Sequence, residues 1–380
     1  MAGSWTKAHV WMLYAAFSVT EIWMSLHFPE VDVTEYRRYA QAATTYPWFH
    51  HWPREYPALS LLVFLLPLLL PVAYRLGFAL FALAALAVMV HRGLNRYGAA
   101  WGMRLLGYLS IGTVGLFAQR YDIFASLAAF LAVDFAVRHR WRAAWVFSVA
   151  GFLLKLFPAV FWPVFLIQEW RETGRWRWDR LAYSLAAGLA VVGLQAMGSS
   201  HQAFTSYRYL LDRPVEIGSL AASLTALISR PQLFYAFGSV DVQAHGIAHL
   251  VGTVLTVAAA ALWAGVFYQQ FRGRLEFVQA AILTLGILLL TTKVFSAQYL
   301  IWIAPLLAMR PGNRLLAAAY LFTTLGYPVG YAVPGMMPWV VYIFAARNLF
   351  LAAGLAKMTW THRAREPVGP PAAAGKVSPL

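Results

Sequence analysis

Three carboxylates lie close together near the start of the chain. Asp32 and Glu35 belong to Pro29-Glu30-Val31-Asp32-Val33-Thr34-Glu35-Tyr36-Arg37-Arg38-Tyr39-Ala40, and Glu55 belongs to Arg54-Glu55-Tyr56-Pro57-Ala58-Leu59. Asp32 and Glu35 are three apart, so on a helix they point the same way. Both stretches are rich in aromatic rings and border apolar runs. A carboxylate at such a boundary is partly desolvated, which raises its proton affinity and suits it to general-base work. The same spacing also fits a solvated loop in which the acids pair with Arg37, Arg38 and Arg54. Asp32 and Glu35 could instead give two oxygens to a divalent cation.

Cations interrupt the apolar sequence further on. Arg120 stands in Gln119-Arg120-Tyr121-Asp122, and Lys155 in Leu154-Lys155-Leu156-Phe157-Pro158. Arg208 follows Tyr207, and Arg213 opens Arg213-Pro214-Val215-Glu216. Lys293 begins Lys293-Val294-Phe295-Ser296-Ala297-Gln298-Tyr299. A lysine among apolar residues is costly without a partner or an anionic ligand. Two or more cations around one pocket suit a phosphate. Each lysine alone also fits an interfacial anchor whose stem lies along apolar surface. His50-His51 and the i, i+4 pair His245 and His249 read as interface histidines, and no metal site is expected from them. No glycine-rich phosphate loop is present.

The elements that must hold these residues are set by composition. The chain has 380 residues, 61% hydrophobic, 12% charged and none of them cysteine. Soluble domains carry about a quarter charged residues, so the apolar surface here is expected to face lipid. Without cysteine there are no disulfides, thiolate metal sites or Cys nucleophiles. The net charge of +15 comes in short clusters between apolar runs, which suits anionic lipid headgroups and not nucleic acid. Apolar segments cover 8–27, 57–73, 76–91, 99–118, 122–137, 143–154, 157–168, 181–197, 244–270, 277–292, 299–309, 315–330 and 337–357. The first of them carries Glu21 and lacks a small-residue cleavage site, so it reads as a retained helix.

Arginine clusters at 138–142, 171–180, 272–274 and 310–314, together with the basic tail, are assigned to the cytoplasm by the positive-inside rule. They fall on one side together only if 57–73, with Pro57, Pro67 and Pro71, is broken or re-entrant. The expected fold is then an all-α polytopic membrane protein of about 12 crossings, with both termini inside. Residues 1–365 form one transmembrane domain, and the outer loops 28–56 and 198–243 form its cap. Helical composition at 31–43 and 219–229 predicts surface-lying helices in that cap. The Pro-, Ala- and Gly-rich tail 366–380 reads as a disordered cytoplasmic end.

At these residues the sequence resembles the GT-C superfamily of polytopic glycosyltransferases, and most closely glycosyltransferase family 87. Asp32, Tyr36 and Ala40 match that family's acidic first outer loop, and Tyr56-Pro57-Ala58-Leu59 matches the stretch that closes it. Leu154-Lys155-Leu156-Phe157-Pro158 and Lys293 to Tyr299 match its two lysine elements, the second without the family's proline. Around 207–223 the family carries an Arg and a Glu-Ser pair, and here Gly218 stands where that Glu would be.

The resemblance implies a GT-C-like bundle in a bacterial plasma membrane, with its active site on the extracytoplasmic side. It implies a polyprenyl monophosphate sugar as donor, mannose being the family's commonest sugar, and a glycolipid or glycan as acceptor. Asp32 would be the base, with Glu35 and Glu55 in support. Lys155, Lys293, Arg120 and Arg208 would hold the donor phosphate. Tyr36, Tyr56, Arg213, Gln298 and Tyr299 would line the substrate pocket. The reaction would invert the sugar and need no cofactor. A transporter or flippase of lipid-linked sugars uses similar cations, but such proteins often show internal repeats, and no repeat of fixed period is present here. A ligase-type enzyme using a diphosphate donor is a further alternative.

Overall fold

The computed structural model describes residues 5–28, 30–46, 52–198, 204–243 and 246–363. The expectations for His50, His51, His245 and the tail 366–380 fall outside these residues.

The helices run in the order α1 (Lys7–His27), α2 (Val31–Thr45), α3 (Ser60–Leu65), α4 (Tyr74–Tyr97), α5 (Ala99–Gly112), α6 (Asp122–Val137) and α7 (Trp141–Leu154). Then come α8 (Phe161–Thr173), α9 (Trp178–Gly198), α10 (Thr205–Asp212), α11 (Leu220–Ile228), α12 (Ile247–Phe271) and α13 (Phe277–Thr291). The last are α14 (Leu300–Ala308), α15 (Arg314–Thr324), α16 (Gly330–Ala332) and α17 (Met337–Arg363).

Among the described residues, α4, α9, α12, α17 and the run Arg314–Ala332 are each long and apolar enough to cross a membrane. Of the other apolar segments α1 has 21 residues, while α7, α13 and the broken piece Ser60–Leu69 are shorter. A helix of 14 residues reaches only about 21 Å, short of the roughly 30 Å hydrocarbon layer. These helices stop early because the chain turns irregular where the polar residues gather. Within 57–73, Pro67 enters a single 3-10 turn, Leu66–Leu69, directly after α3; its ring allows no further α-helical hydrogen bond. Burial differs sharply among the long helices: 56% of the apolar window of α4 is buried, against 11% for α9 and α12. Those two helices therefore sit at the rim with their apolar sides outward.

The fold departs from an all-helical one in the second long loop. There β1 (Val215–Glu216), β2 (Gln232–Ala236) and β3 (Ser239–Gln243) form an antiparallel sheet in the order β1-β3-β2. The hairpin pairs Ala236 with Ser239 across Phe237 and Gly238, both at positive φ, as a two-residue type I′ turn requires. Val215 and Val242 pack against α11 and against Val340, Val341 and Phe344 of α17.

The helix α2 is not a bare surface helix. Its face of Val33, Tyr36, Tyr39 and Ala40 packs on Leu61 and Phe64 of α3 and on Tyr74 and Phe78 of α4. Those four residues stand at i, i+3, i+6 and i+7, on one side of an amphipathic helix.

Glu21, fully buried in α1, ties a second connection to the core. Its carboxylate accepts Gly115 N at 2.7 Å and Ala118 N at 3.1 Å. Gly115 has φ +74°, and a Cβ there would meet the Met24 Cε at 2.5 Å. This turn delivers Gln119 and Arg120 to the loop that leads into α2: Gln119 Nε2 donates to Phe28 O at 3.0 Å and its Oε1 accepts Glu30 N at 2.8 Å.

Candidate active site

The link between α1 and α2, the loop of Glu55, Tyr56 and Pro57 before α3, the 113–121 turn, the α7–α8 break, the 204–243 cap and the loop before α14 all meet at one cavity of about 840 Å³. Asp32, Glu35, Glu55, Tyr36, Tyr56, Arg120, Lys155, Arg213, Lys293, Gln298 and Tyr299 line it. Arg208 does not: it is exposed and outside the lining. Tyr209 and Leu210 of α10 and Arg213, the residue that follows the helix, line the cavity.

The arginine-rich loops lie at the other ends of the same helices. The helix α6 starts at Asp122 on the cavity and ends beside Arg138; α13 starts after 272–274 and ends two residues before Lys293. At that far end Asp134 accepts Arg92 at 3.2 Å and Arg138 at 2.7 Å, and Glu169 pairs with Arg180 at 2.8 Å.

One wall of the cavity is acidic. Arg120 is shared between Asp32 and Glu30, with its Nη2 at 3.0 Å from Glu30 Oε2. Tyr327 donates its hydroxyl to the other Glu30 oxygen, and Tyr56 donates to Asp32 Oδ1 at 3.4 Å. Glu35 turns to Arg38, one turn along α2, at 2.5 Å. Glu55 accepts the Tyr39 hydroxyl, whose own oxygen accepts Arg54 N at 3.2 Å. Asp32 and Glu35 thus face the same space through different partners. Among the described residues no three or more His, Cys, Asp or Glu side chains are grouped to hold a metal ion.

Lys155 stands in the floor. Its ammonium donates to Asp122 Oδ1 at 2.7 Å, and Trp302 Nε1 donates to the same oxygen at 2.6 Å. The rings of Tyr121, Trp302 and Tyr299 surround the ammonium at 4.5, 5.1 and 5.2 Å. Asp122 is almost wholly buried, so this is a buried ion pair in an aromatic cage.

Two further cations, Arg213 and Lys293, line the cavity. Lys293 Nζ donates to Leu211 O at 2.6 Å, and Arg213 Nη2 donates to Ser239 Oγ at 2.9 Å. Arg213 Nε is buried with no hydrogen-bond partner among the described residues. Burial, and then the nearby Arg213 charge, hold the Lys293 ammonium below its usual pKa. Arg120 and Lys155 have carboxylates in contact, whereas Arg213 and Lys293 form no ion pair within 4.0 Å among the described residues. Beyond them Phe157, Val160 and Leu288 form an apolar side.

Several residues of the site carry no assignment from sequence reasoning. Glu30 and Asp122 neighbour Asp32 and Arg120 in sequence, and that adjacency was the available signal. Tyr327 comes from near the end of the chain and gave none. Glu216 on β1 also lines the cavity. Where the resemblance expects a Glu, Gly218 is required by space: a Cβ there would lie 2.6 Å from Phe295 O. Arg347, fully buried in α17, closes that junction by donating to Gly218 O and, at 3.2 Å, to Phe295 O.

No family model and no curated protein matches the sequence. Among solved structures the chain is similar to ArnT from Cupriavidus metallidurans in the apo state, at 15% identity and a TM-score of 0.44, covering 93% of this chain and 77% of that one.

Proposed function

We propose that this protein is an inverting membrane glycosyltransferase that moves a sugar from a polyprenyl monophosphate to a hydroxyl of a glycolipid or glycan, at the extracytoplasmic face of a bacterial plasma membrane. The observation that carries the reading is one cavity lined both by the carboxylates Asp32, Glu35 and Glu55 and by two cations, Arg213 and Lys293, that form no ion pair within 4.0 Å among the described residues, beside apolar residues. Arg213 and Lys293 suit the donor phosphate, and Phe157, Val160 and Leu288 suit the start of its lipid tail. The acidic wall suits the acceptor.

In the reaction the acceptor oxygen attacks the anomeric carbon while its proton passes to Asp32. The bond from that carbon to the phosphate oxygen breaks, and its electron pair leaves on the phosphate. Arg213 and Lys293 stabilise the charge that gathers there. Attack from the side opposite the leaving group inverts the anomeric centre, so a β-linked donor gives an α-linked product. In the absence of acceptor Arg120 neutralises Asp32; an acceptor hydroxyl entering between them takes over one Asp32 oxygen. Mannose is the sugar to test first, on the strength of the family resemblance. The transporter reading would leave the carboxylates that line the cavity without a role.

The test is turnover by purified protein in detergent, given labelled polyprenyl-phosphate mannose, glucose and arabinose with a glycolipid acceptor. Release of polyprenyl phosphate coupled to labelled product is expected. No release with any monophosphate donor, or release only with diphosphate-linked glycans, overturns the proposal.

A further inference from the structure

Glu216 is about nine-tenths buried, and its two carboxylate oxygens are in different situations. Oε1 accepts the Ser296 hydroxyl at 2.6 Å. Oε2 is buried and has no hydrogen-bond partner among the described residues. A buried carboxylate oxygen left unpaired is costly, and native structures seldom keep one without a use. Glu216 lines the cavity between Arg213 and Ser296.

The backbone around Glu216 is held from several directions. Its N–H donates to Lys293 O at 2.9 Å, and it pairs with Asp241 across β1 and β3. Two residues on, Gly218 O is gripped by Arg347 and, at 3.2 Å, by Asn348 Nδ2. The carboxylate is therefore aimed by fixed structure, on the same strand of contacts that carries Lys293.

We propose that Glu216 is a specificity residue for the donor: its free Oε2 accepts a hydrogen bond from one hydroxyl of the sugar attached to the phosphate. This rests on the glycosyltransferase reading for its ligand. The phosphate is held by Arg213 and Lys293, and the backbone of Glu216 is bonded to that of Lys293, so the ring nearest Glu216 is the donor's. The acceptor is assigned to Asp32, which has Arg120 and Tyr56 as its partners. A sugar hydroxyl satisfies the orphaned oxygen, and a donor lacking that hydroxyl leaves it unpaired. Sites built to bond a substrate hydroxyl reject the analogue without it strongly, for this reason.

The test measures equilibrium binding of polyprenyl-phosphate mannose and its four monodeoxy analogues to the full-length protein, alongside turnover. Wild type is expected to bind one analogue at least about tenfold more weakly than the parent. In Glu216→Gln, which keeps the shape but loses the charge and one acceptor oxygen, that selective loss should shrink to within about threefold. Ser296→Ala, which frees Oε1 to reorient, should weaken the selectivity partially. Equal binding of all analogues by wild type overturns the inference without any variant being needed. A Glu216→Gln protein that weakens every donor equally also overturns it. Selective binding without turnover would refute the transferase reading and leave Glu216 standing; turnover without selectivity would do the reverse.

Discussion

Asp32 is the residue that transfer should depend on most steeply. Asp32→Asn keeps size and hydrogen bonding but cannot take the acceptor's proton. Transfer should fall about 100-fold or more while donor binding is kept, because the phosphate cations are elsewhere. Glu35→Gln and Glu55→Gln should cost less, since each acid is turned to its own partner, Arg38 or Tyr39. Near-normal turnover of Asp32→Asn would move the role to Glu55. The two lysines should separate in the same experiments. Lys293→Met should weaken donor binding by about tenfold or more with little change in stability, because its carbonyl contact to Leu211 is at an exposed position. Lys155→Met should act first on stability. It leaves the buried Asp122 carboxylate without its cation, at a cost of about 3–5 kcal/mol. The double change Lys155→Met with Asp122→Asn should recover most of that loss in a thermal unfolding scan. A lone Lys155→Met that unfolds like wild type but binds no donor would return Lys155 to the phosphate.

At the scale of elements, α1 acts on the site through a turn it holds and not through its own side chains. Glu21→Ala would strip two buried N–H groups, Gly115 and Ala118, of their acceptor. Each orphaned donor costs about 1–3 kcal/mol, so the unfolding midpoint should drop by several degrees. Turnover should drop with it, since the same turn positions Arg120 against Asp32. The cap sheet has its own pH dependence. Burial pushes the Asp241 carboxyl on β3 up to about 6, with the bond from Ser239 and the Arg213 charge opposing the rise. Because the folded value is above the unfolded one, this group's stabilising contribution is present below about pH 4 and is lost as pH rises through about 6. Asp241→Asn should remove that loss, so the variant should unfold at a higher temperature than wild type at pH 7.5 and differ less at pH 4. An identical pH profile for the two proteins would show that Asp241 is not the titrating group.

For the whole molecule, the cavity and the arginine-rich loops lie at opposite ends of shared helices, about 24 Å apart for a helix of 16 residues such as α6. If the positive-inside rule holds, the cavity faces the extracytoplasmic side. The chain has no cysteine, so single cysteines report sides cleanly. An impermeant thiol reagent on intact cells should label Arg208→Cys, exposed on α10, and spare Thr173→Cys, exposed at the end of α8. The reverse pattern would invert the orientation and remove the extracytoplasmic active site with it.

Much of this protein is written in its residues taken in order. Long uncharged runs separated by arginine clusters determine a helical, lipid-facing chain, since apolar runs and short basic loops are local properties. The prolines at 57, 67 and 71 mark the broken segment for the same reason. So does the charge of Asp32, Lys155 and Lys293 against apolar flanks, which marks them as residues needing an explanation. Which charge meets which is not local. Arg120 and Lys155 read alike with Arg213 and Lys293 until folding brings Glu30, Asp32 and Asp122 into contact with the first two and leaves the others without an ion pair within 4.0 Å among the described residues. Arg213, just past the end of α10, lines the cavity, and Arg208 within the helix does not. The sheet in the cap depends on pairing 215–216 with a hairpin more than 20 residues later, and the carboxylate of Glu216 is set free or satisfied only by what Ser296 and Lys293 bring to it. Ion pairs and strand ladders join residues far apart in the chain, so their energies appear only once the chain has folded.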